Sequence, residues 1–577
     1  MAHGPPPRDA PRPAAPFVGR QRERAELSGA LAGALTGDGS LLLLTGESGI
    51  GKTRLAREVA DEAAARGAAV LWGAAWDAGG APAFWPWMQA IRELLVATDE
   101  DDLRSDLGPG AAYVAQIVGD VRERVPGLAP APALDSDAAR FTAFDATATF
   151  LRAAAARRPL LVVLDDLHAA DVPSVVLLGF LARGLHGARI LLLGTYRERE
   201  AVGEVGEALA AARPAGRTLA LRGLEPDDVA VLVAAQAEGP APDRLVRRVH
   251  ALTEGNPLFV DEVTRLLAAE GGLEAGSGRI PLPDGVRDTI RRRLAPLSAP
   301  ARASLTLAAV IGTQFGLETL VHAAGADRAG VLGHLDEALA AGLVEDDGVG
   351  SYRFTHALVR ETLYDDLSAR RRIELHGAVG AALAELHGDR ADAALSGLAH
   401  HFLQAAPGGG AERAVDYAGR AGDAAMEVLA YERAAEHYRG ALAATHLLAP
   451  DPALRASLHE RLGEALMRAG DLAGGREALG EAATIARRTG DSELLARAAL
   501  GTAAWGLSTG LVDEQHLAPL LEQALARLGP GDSALRARVQ SRLAAALYWS
   551  DDPAFRATLA DEAIAMARRV GDPATLA

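Results

Sequence analysis

The chain has 577 residues, room for roughly three or four domains with separate cores. It contains no cysteine, which excludes disulfides and thiolate metal sites, and its formal net charge of −17 argues against an unaided grip on nucleic acid. Apolar residues make up 49% and aromatics 4%, a helix-rich alanine and leucine composition. No apolar run reaches the roughly 18–20 residues of a membrane span, so a cytoplasmic protein without a membrane partner is expected.

Residues 1–16 are proline-rich and lack the apolar stretch of a signal peptide, so they read as a disordered leader. Phe17-Val-Gly-Arg20 then forms a hydrophobic turn before a helical pattern with Leu27, Leu31 and Leu35 on one face. A buried strand over Leu41–Leu44 runs into Gly46-Glu-Ser-Gly-Ile-Gly-Lys-Thr53, followed by Arg54 and a helix. This segment fits the phosphate-loop pattern G-x-x-x-x-G-K-[ST] at every fixed position. Glycines at Gly46, Gly49 and Gly51 let backbone N–H groups turn inward around phosphate oxygens. The Glu47, Ser48 and Ile50 backbone completes the cradle, Lys52 reaches the terminal phosphates, and Thr53 ligates Mg²⁺. Lys52 is the only lysine in the chain. Arginine replaces lysine everywhere else, as if its planar fork could not replace a compact ammonium here.

Further along, Ala68–Trp72 reads as a short strand. Trp72, Trp76, Phe84, Trp85 and Trp87 cluster after it, either as a small core of their own or as a lid or interdomain contact. Residues Asp99–Ala138 are polar and broken by Gly and Pro, like a variable insertion. Leu160-Leu-Val-Val-Leu-Asp-Asp166 is a buried parallel strand ending in two acids. Ligands of open α/β sheets bind at that edge. Asp165 is expected to hold the Mg²⁺ shell and Asp166 to polarise an attacking water. Arg189–Arg197 is a further buried strand with a polar end. Residues Leu219–Gly272 read as helical and contain the turn Gly255-Asn-Pro-Leu258, and Gly271–Pro283 reads as a linker. Asp284–Leu367 reads as three helices and a hairpin turning at Asp346-Asp-Gly-Val-Gly350, a winged-helix pattern whose basic concentration is Arg291-Arg-Arg293. From Arg370 onward the chain is helical and alanine-rich, with recurrent Gly-Asp helix stops at Gly470, Gly490 and Gly571. Buried fillers are expected at Tyr431, Tyr438, Leu462, Trp505 and Tyr548, giving TPR-like helical hairpins with a concave binding face.

Asp165-Asp-Leu-His-Ala-Ala-Asp171 resembles the D-D-L-H-x-A-D signature of bacterial STAND-type ATPases, which include the maltose-regulator-like and large LuxR-type transcriptional regulators. Several further implications follow from the resemblance. Val18, Gly19 and Arg20 would contact the adenine. Arg197, ending the sensor strand, would feel the γ-phosphate, Pro257 would close the lid over the base, and His356 would reach the bound diphosphate. For His168 and Asp171 a structural hydrogen-bonding role is expected. The implied fold is an α/β P-loop NTPase core with a parallel sheet (17–200), a helical lid and linker (201–283), a winged helix (284–370) and a TPR-like array (371–577). The implied function is an ATP/ADP·Mg²⁺ switch with slow hydrolysis. A small-molecule or protein inducer would bind the array, and ATP would promote self-association. DNA would be reached only through a further domain. The alternative is an origin-recognition-like or remodelling ATPase acting on nucleic acid.

Overall fold

A computed structural model of the chain describes residues 16–76, 80–129, 131, 136–237, 241–269, 286–388, 394–503, 514–547, 552–571 and 575. The leader before Pro16, the Gly271–Pro283 linker, Trp505 and Tyr548 lie outside the described residues. Strands β1 (Ser40–Thr45), β2 (Ala69–Ala74), β3 (Leu160–Asp165), β4 (Ile190–Tyr196) and β5 (Arg217–Ala220) form a parallel sheet in the order β2-β3-β4-β1-β5. Alternation explains why the central strands are apolar throughout. Leu41, Leu43, Val162, Leu164, Ile190 and Leu192 enter one core, while Leu42, Leu44, Leu161, Val163, Leu191 and Leu193 enter the other. Both faces are covered, so neither can be polar. Because β4 separates β1 from β3, its C-terminal end lies between the glycine-rich loop and the paired acids.

The aromatic window serves a core. Phe84 and Trp87 are fully buried, and the Trp87 indole Nε1 donates to the Ser174 carbonyl at 2.9 Å. The stretch read as a variable insertion is built on helices Glu100–Leu107, Ala111–Ile117 and Asp120–Arg124. Leu103, Val114, Ile117 and Val121 from these helices join the same core, so its Gly and Pro residues punctuate short helices.

Helices Pro226–Ala237, Asp243–Thr253 and Pro257–Ala269 pack around Val229, Val233, Val249, Val260 and Val263, with Val18 from the N-terminal turn against them. A third body combines helices Ala299–Ile311, Leu317–Ala324 and Arg328–Ala340 with an antiparallel sheet. That sheet comprises β6 (Gln314–Gly316), β7 (Val344–Asp346) and β8 (Ser351–Phe354) in the order β6-β8-β7. The helix Ala357–Asp365 follows the hairpin.

From Ala369 on, the described elements are helical, each packed on the next. The recurrent Gly-Asp pair is a two-part joint. Gly470, at φ +92°, ends one helix, and Asp471 accepts from the Gly474 N–H at 2.9 Å to start the next; Gly490 and Asp491 repeat this. A Cβ on Gly422 would lie 2.4 Å from Tyr438 Cε1, so this helix crossing requires glycine. The array rests on the sheet domain. Tyr431 and Tyr438 share the core of Phe84 and Leu177, and Arg140 pairs with Glu432 at 2.8 Å.

Candidate nucleotide site

The loop between β1 and the helix Lys52–Ala65 sits at the C-terminal edge of the sheet. Gly49 has φ +76°, and a Cβ there would lie 2.6 Å from Leu258 Cβ, so its conformation and its neighbour both demand glycine. Lys52 is only 5% exposed, and its ammonium donates to the Gly46 and Glu47 carbonyls at 3.0 and 2.9 Å. Burial lowers its pKa, and the Asp166 carboxylate is the main opposing influence. The amine is thereby held against the loop.

Opposite it, Asp165 Oδ1 accepts from Thr53 Oγ1 at 3.0 Å and from Thr195 Oγ1, and the Thr195 hydroxyl oxygen accepts the Asp166 N–H at 2.9 Å. Burial, then the charge of Asp166, pushes the Asp165 carboxyl up to about 6. The carboxylate and the two hydroxyls gather oxygen donors at one point, while Lys52 and Arg57 offset part of its charge from further off. Hard oxygen donors from Thr53 and Asp165 fit Mg²⁺, and the glycine-rich loop with Lys52 fits a polyphosphate. Asp166 adopts the left-handed conformation at φ +56°. Its carboxylate lies 3.8 Å from His168 Nδ1, and His168 Nε2 lies 3.4 Å from Glu200.

Arg197 closes this group from the end of β4 and is 6% exposed. Its guanidinium meets Glu200 at 3.0 Å and Glu361, on the post-hairpin helix, at 3.1 Å. Burial opposes the charge, but the carboxylates of Asp166, Glu200 and Glu361 outweigh it and hold the guanidinium above its ordinary pKa. The residue expected to feel a γ-phosphate thus also ties the sheet edge to the third body.

The lid touches the loop directly. Asn256 Nδ2 donates to the Ser48 carbonyl at 2.9 Å, and the Leu258 N–H to the Gly49 carbonyl at 3.3 Å, with Pro257 opening the lid helix between them. Arg20 Nη2 donates to the Ile50 carbonyl at 2.9 Å. Gly19, at φ +67°, lies against Asp228 of the lid, and Phe17 is flanked by Arg24 and Arg54 at 5.6 and 5.8 Å. The segment Phe17–Arg20 therefore joins loop, loop helix and lid.

His356 stands apart from these groups. Its Nε2 is 3.9 Å from Glu262 on the lid helix, and burial lowers its pKa. Glu361, on the helix that follows it, is the residue that reaches the site. Asp171 has the structural role expected of it: it caps the helix Val172–Arg183 through Ser174 and accepts the Phe84 N–H at 3.1 Å. Glu200 and Glu361 were not singled out in the sequence, whereas Thr195 and Asn256 entered it only as members of the polar strand end and of the turn Gly255–Leu258.

Residues 16–193 match the family model described as AAA ATPase domain. An uncharacterized protein of Rhizobium meliloti (strain 1021) is 27% identical over 428 residues, covering 68% of this chain and 39% of its own length. The chain thus spans about two fifths of the curated relative it matches. A signal transduction ATPase with numerous domains and a tetratricopeptide repeat sensor, from Pyrococcus horikoshii, is 15% identical at a TM-score of 0.45, covering 97% of this chain and 78% of its own. The Aeropyrum pernix ORC2 protein is 17% identical at a TM-score of 0.29, covering 65% of this chain and 97% of its own. Among the described residues no helix is long and apolar enough to cross a membrane.

Proposed function

We propose that the ATPase domain works as a nucleotide-dependent switch, with ATP or ADP and Mg²⁺ lying between loop, acids and lid. The observation that carries this reading is the double attachment of the phosphate edge. Asn256 of the lid holds the loop at Ser48, and Glu361 of the third body holds Arg197 beside the acids. A group arriving at that edge competes with both attachments, so binding is coupled to the arrangement of three bodies. Lys52 and the loop would hold the phosphates, Thr53 and Asp165 the Mg²⁺, and Asp166 an attacking water in a slow reset. Bound Mg²⁺ would supply charge neutralisation at the β- and γ-oxygens. The array docked on the core corresponds to a closed state, and its release would permit self-association.

A transcriptional role of the LuxR type, a winged-helix identity for the third body, and output through a DNA-binding domain belong to this proposal. The reading as an ATPase acting on nucleic acid is less favoured. Its basic run is committed internally: Arg291 pairs with Asp366 at 2.8 Å, and Arg293 pairs with Glu262 and donates to the Gly342 carbonyl at 2.9 Å. Lys52→Ala is expected to weaken ATP binding by at least about a hundredfold, the loss of roughly two charge-assisted contacts. Unchanged affinity in a fluorescent-nucleotide titration would sink the proposal.

A further inference from the structure

A cleft of about 820 Å³ opens where the array, the third body and the ATPase domain meet at Gly80. Its size suits a small organic ligand. Val310, Leu403, Pro407 and Leu447 give it an apolar wall, and Arg360, Arg433, His400 and His437 give it a polar end. His437 is only 5% exposed, and its Nε2 has no hydrogen-bond partner; the buried Nε of Arg433 has none either. Buried polar atoms are normally paired, so two such atoms on side chains that line one cleft point to a ligand that completes them.

Charge decides the class of ligand. Among the described lining residues Glu436 is the one acid, and it pairs with Arg433 at 2.5 Å, which leaves the Arg360 guanidinium in excess. His400 and His437 are held neutral, first by burial and then by the neighbouring Arg433. A metal ion is the competing occupant, because ligand atoms of His376, His400 and His401 lie within 4.8 Å of one another. Both nitrogens of His376 are already engaged, however. His376 Nδ1 bonds His401 Nδ1 at 2.9 Å and His376 Nε2 bonds the Tyr364 hydroxyl at 3.0 Å. Arg360 and Arg372 act on His376 from close by, and a dication there would be repelled.

We propose that this cleft binds a small organic anion, with its apolar body on the Leu403 wall and its oxyanion on Arg433, Arg360 and His437. It would be the inducer site of the array. The inducer role rests on the switch reading, whereas the binding does not.

The test is calorimetric titration of the full chain with 2-naphthoate, neutral 2-naphthamide and Zn²⁺. One 2-naphthoate per chain is expected, at least about tenfold tighter than the amide, because only the acid completes a charge-assisted bond. Arg433→Gln and His437→Gln should each weaken it by about tenfold to a hundredfold, while unaltered ATP affinity shows that the variants are folded. Equal affinity for acid and amide, or binding untouched in both variants, would overturn the proposal. So would Zn²⁺ binding in place of 2-naphthoate, lost in His401→Gln. If 2-naphthoate binds as expected but leaves ADP release unchanged, the inducer role falls and the nucleotide site, tested separately at Lys52, stands.

Discussion

Asp165 shows how one residue can be selected against stability. Its carboxyl is buried, is raised to about 6 from an ordinary 3.8, and accepts hydrogen bonds from two hydroxyls beside a second acid. A folded pKa above the unfolded one means that the folded chain binds the proton more tightly. The contribution of this group to stability is then greatest below about pH 4 and falls as pH rises towards 6. Asp165→Asn is therefore expected to raise stability at pH 7 by about 1–3 kcal/mol, with the gain vanishing near pH 4, while abolishing Mg²⁺-dependent nucleotide binding. Urea unfolding at the two pH values checks the sign. The importance of Asp165 was legible because an apolar run ending in acids is chemically odd. Its partner Thr195 and the Arg197 partner Glu361 were not, since those contacts join residues 30 and 164 positions apart.

At the scale of elements, the strands were legible because burial on both faces leaves them no polar positions. Their order was not, because nothing in β4 states that it will lie between β1 and β3. The lid illustrates the same limit. Gly255-Asn-Pro-Leu258 announced a turn before a helix, but the bond from Asn256 to Ser48 depends on how the lid settles on the loop. Asn256→Ala should remove about 1 kcal/mol from that contact and speed ADP release several-fold. Stopped-flow displacement of a fluorescent ADP analogue measures it, and an unchanged release rate would show that the lid does not gate the site.

At the scale of the whole molecule, the array could be read as helical hairpins from its Gly-Asp joints, but not where it docks. Amphipathic helices declare that they bury a face without naming the partner. Here Tyr431, fully buried, joins the core of the ATPase domain beneath Arg140. Tyr431→Ala should cost about 3–5 kcal/mol at this junction and let the array swing away. Small-angle scattering would then show a larger radius of gyration at unchanged helical content, and an unaltered radius would refute the docking role.

The Arg140–Glu432 pair spans 292 positions of chain. At synthesis rates of about 5–20 residues per second, the second partner leaves the ribosome roughly 15–60 s after the first. For most of that interval the flank of helix Val172–Arg183 that will meet Tyr431–Thr445 is open to water. The nascent ATPase domain thus passes through a sticky stage that the finished molecule conceals, and its yield in a cell depends on what shelters that flank until the array arrives.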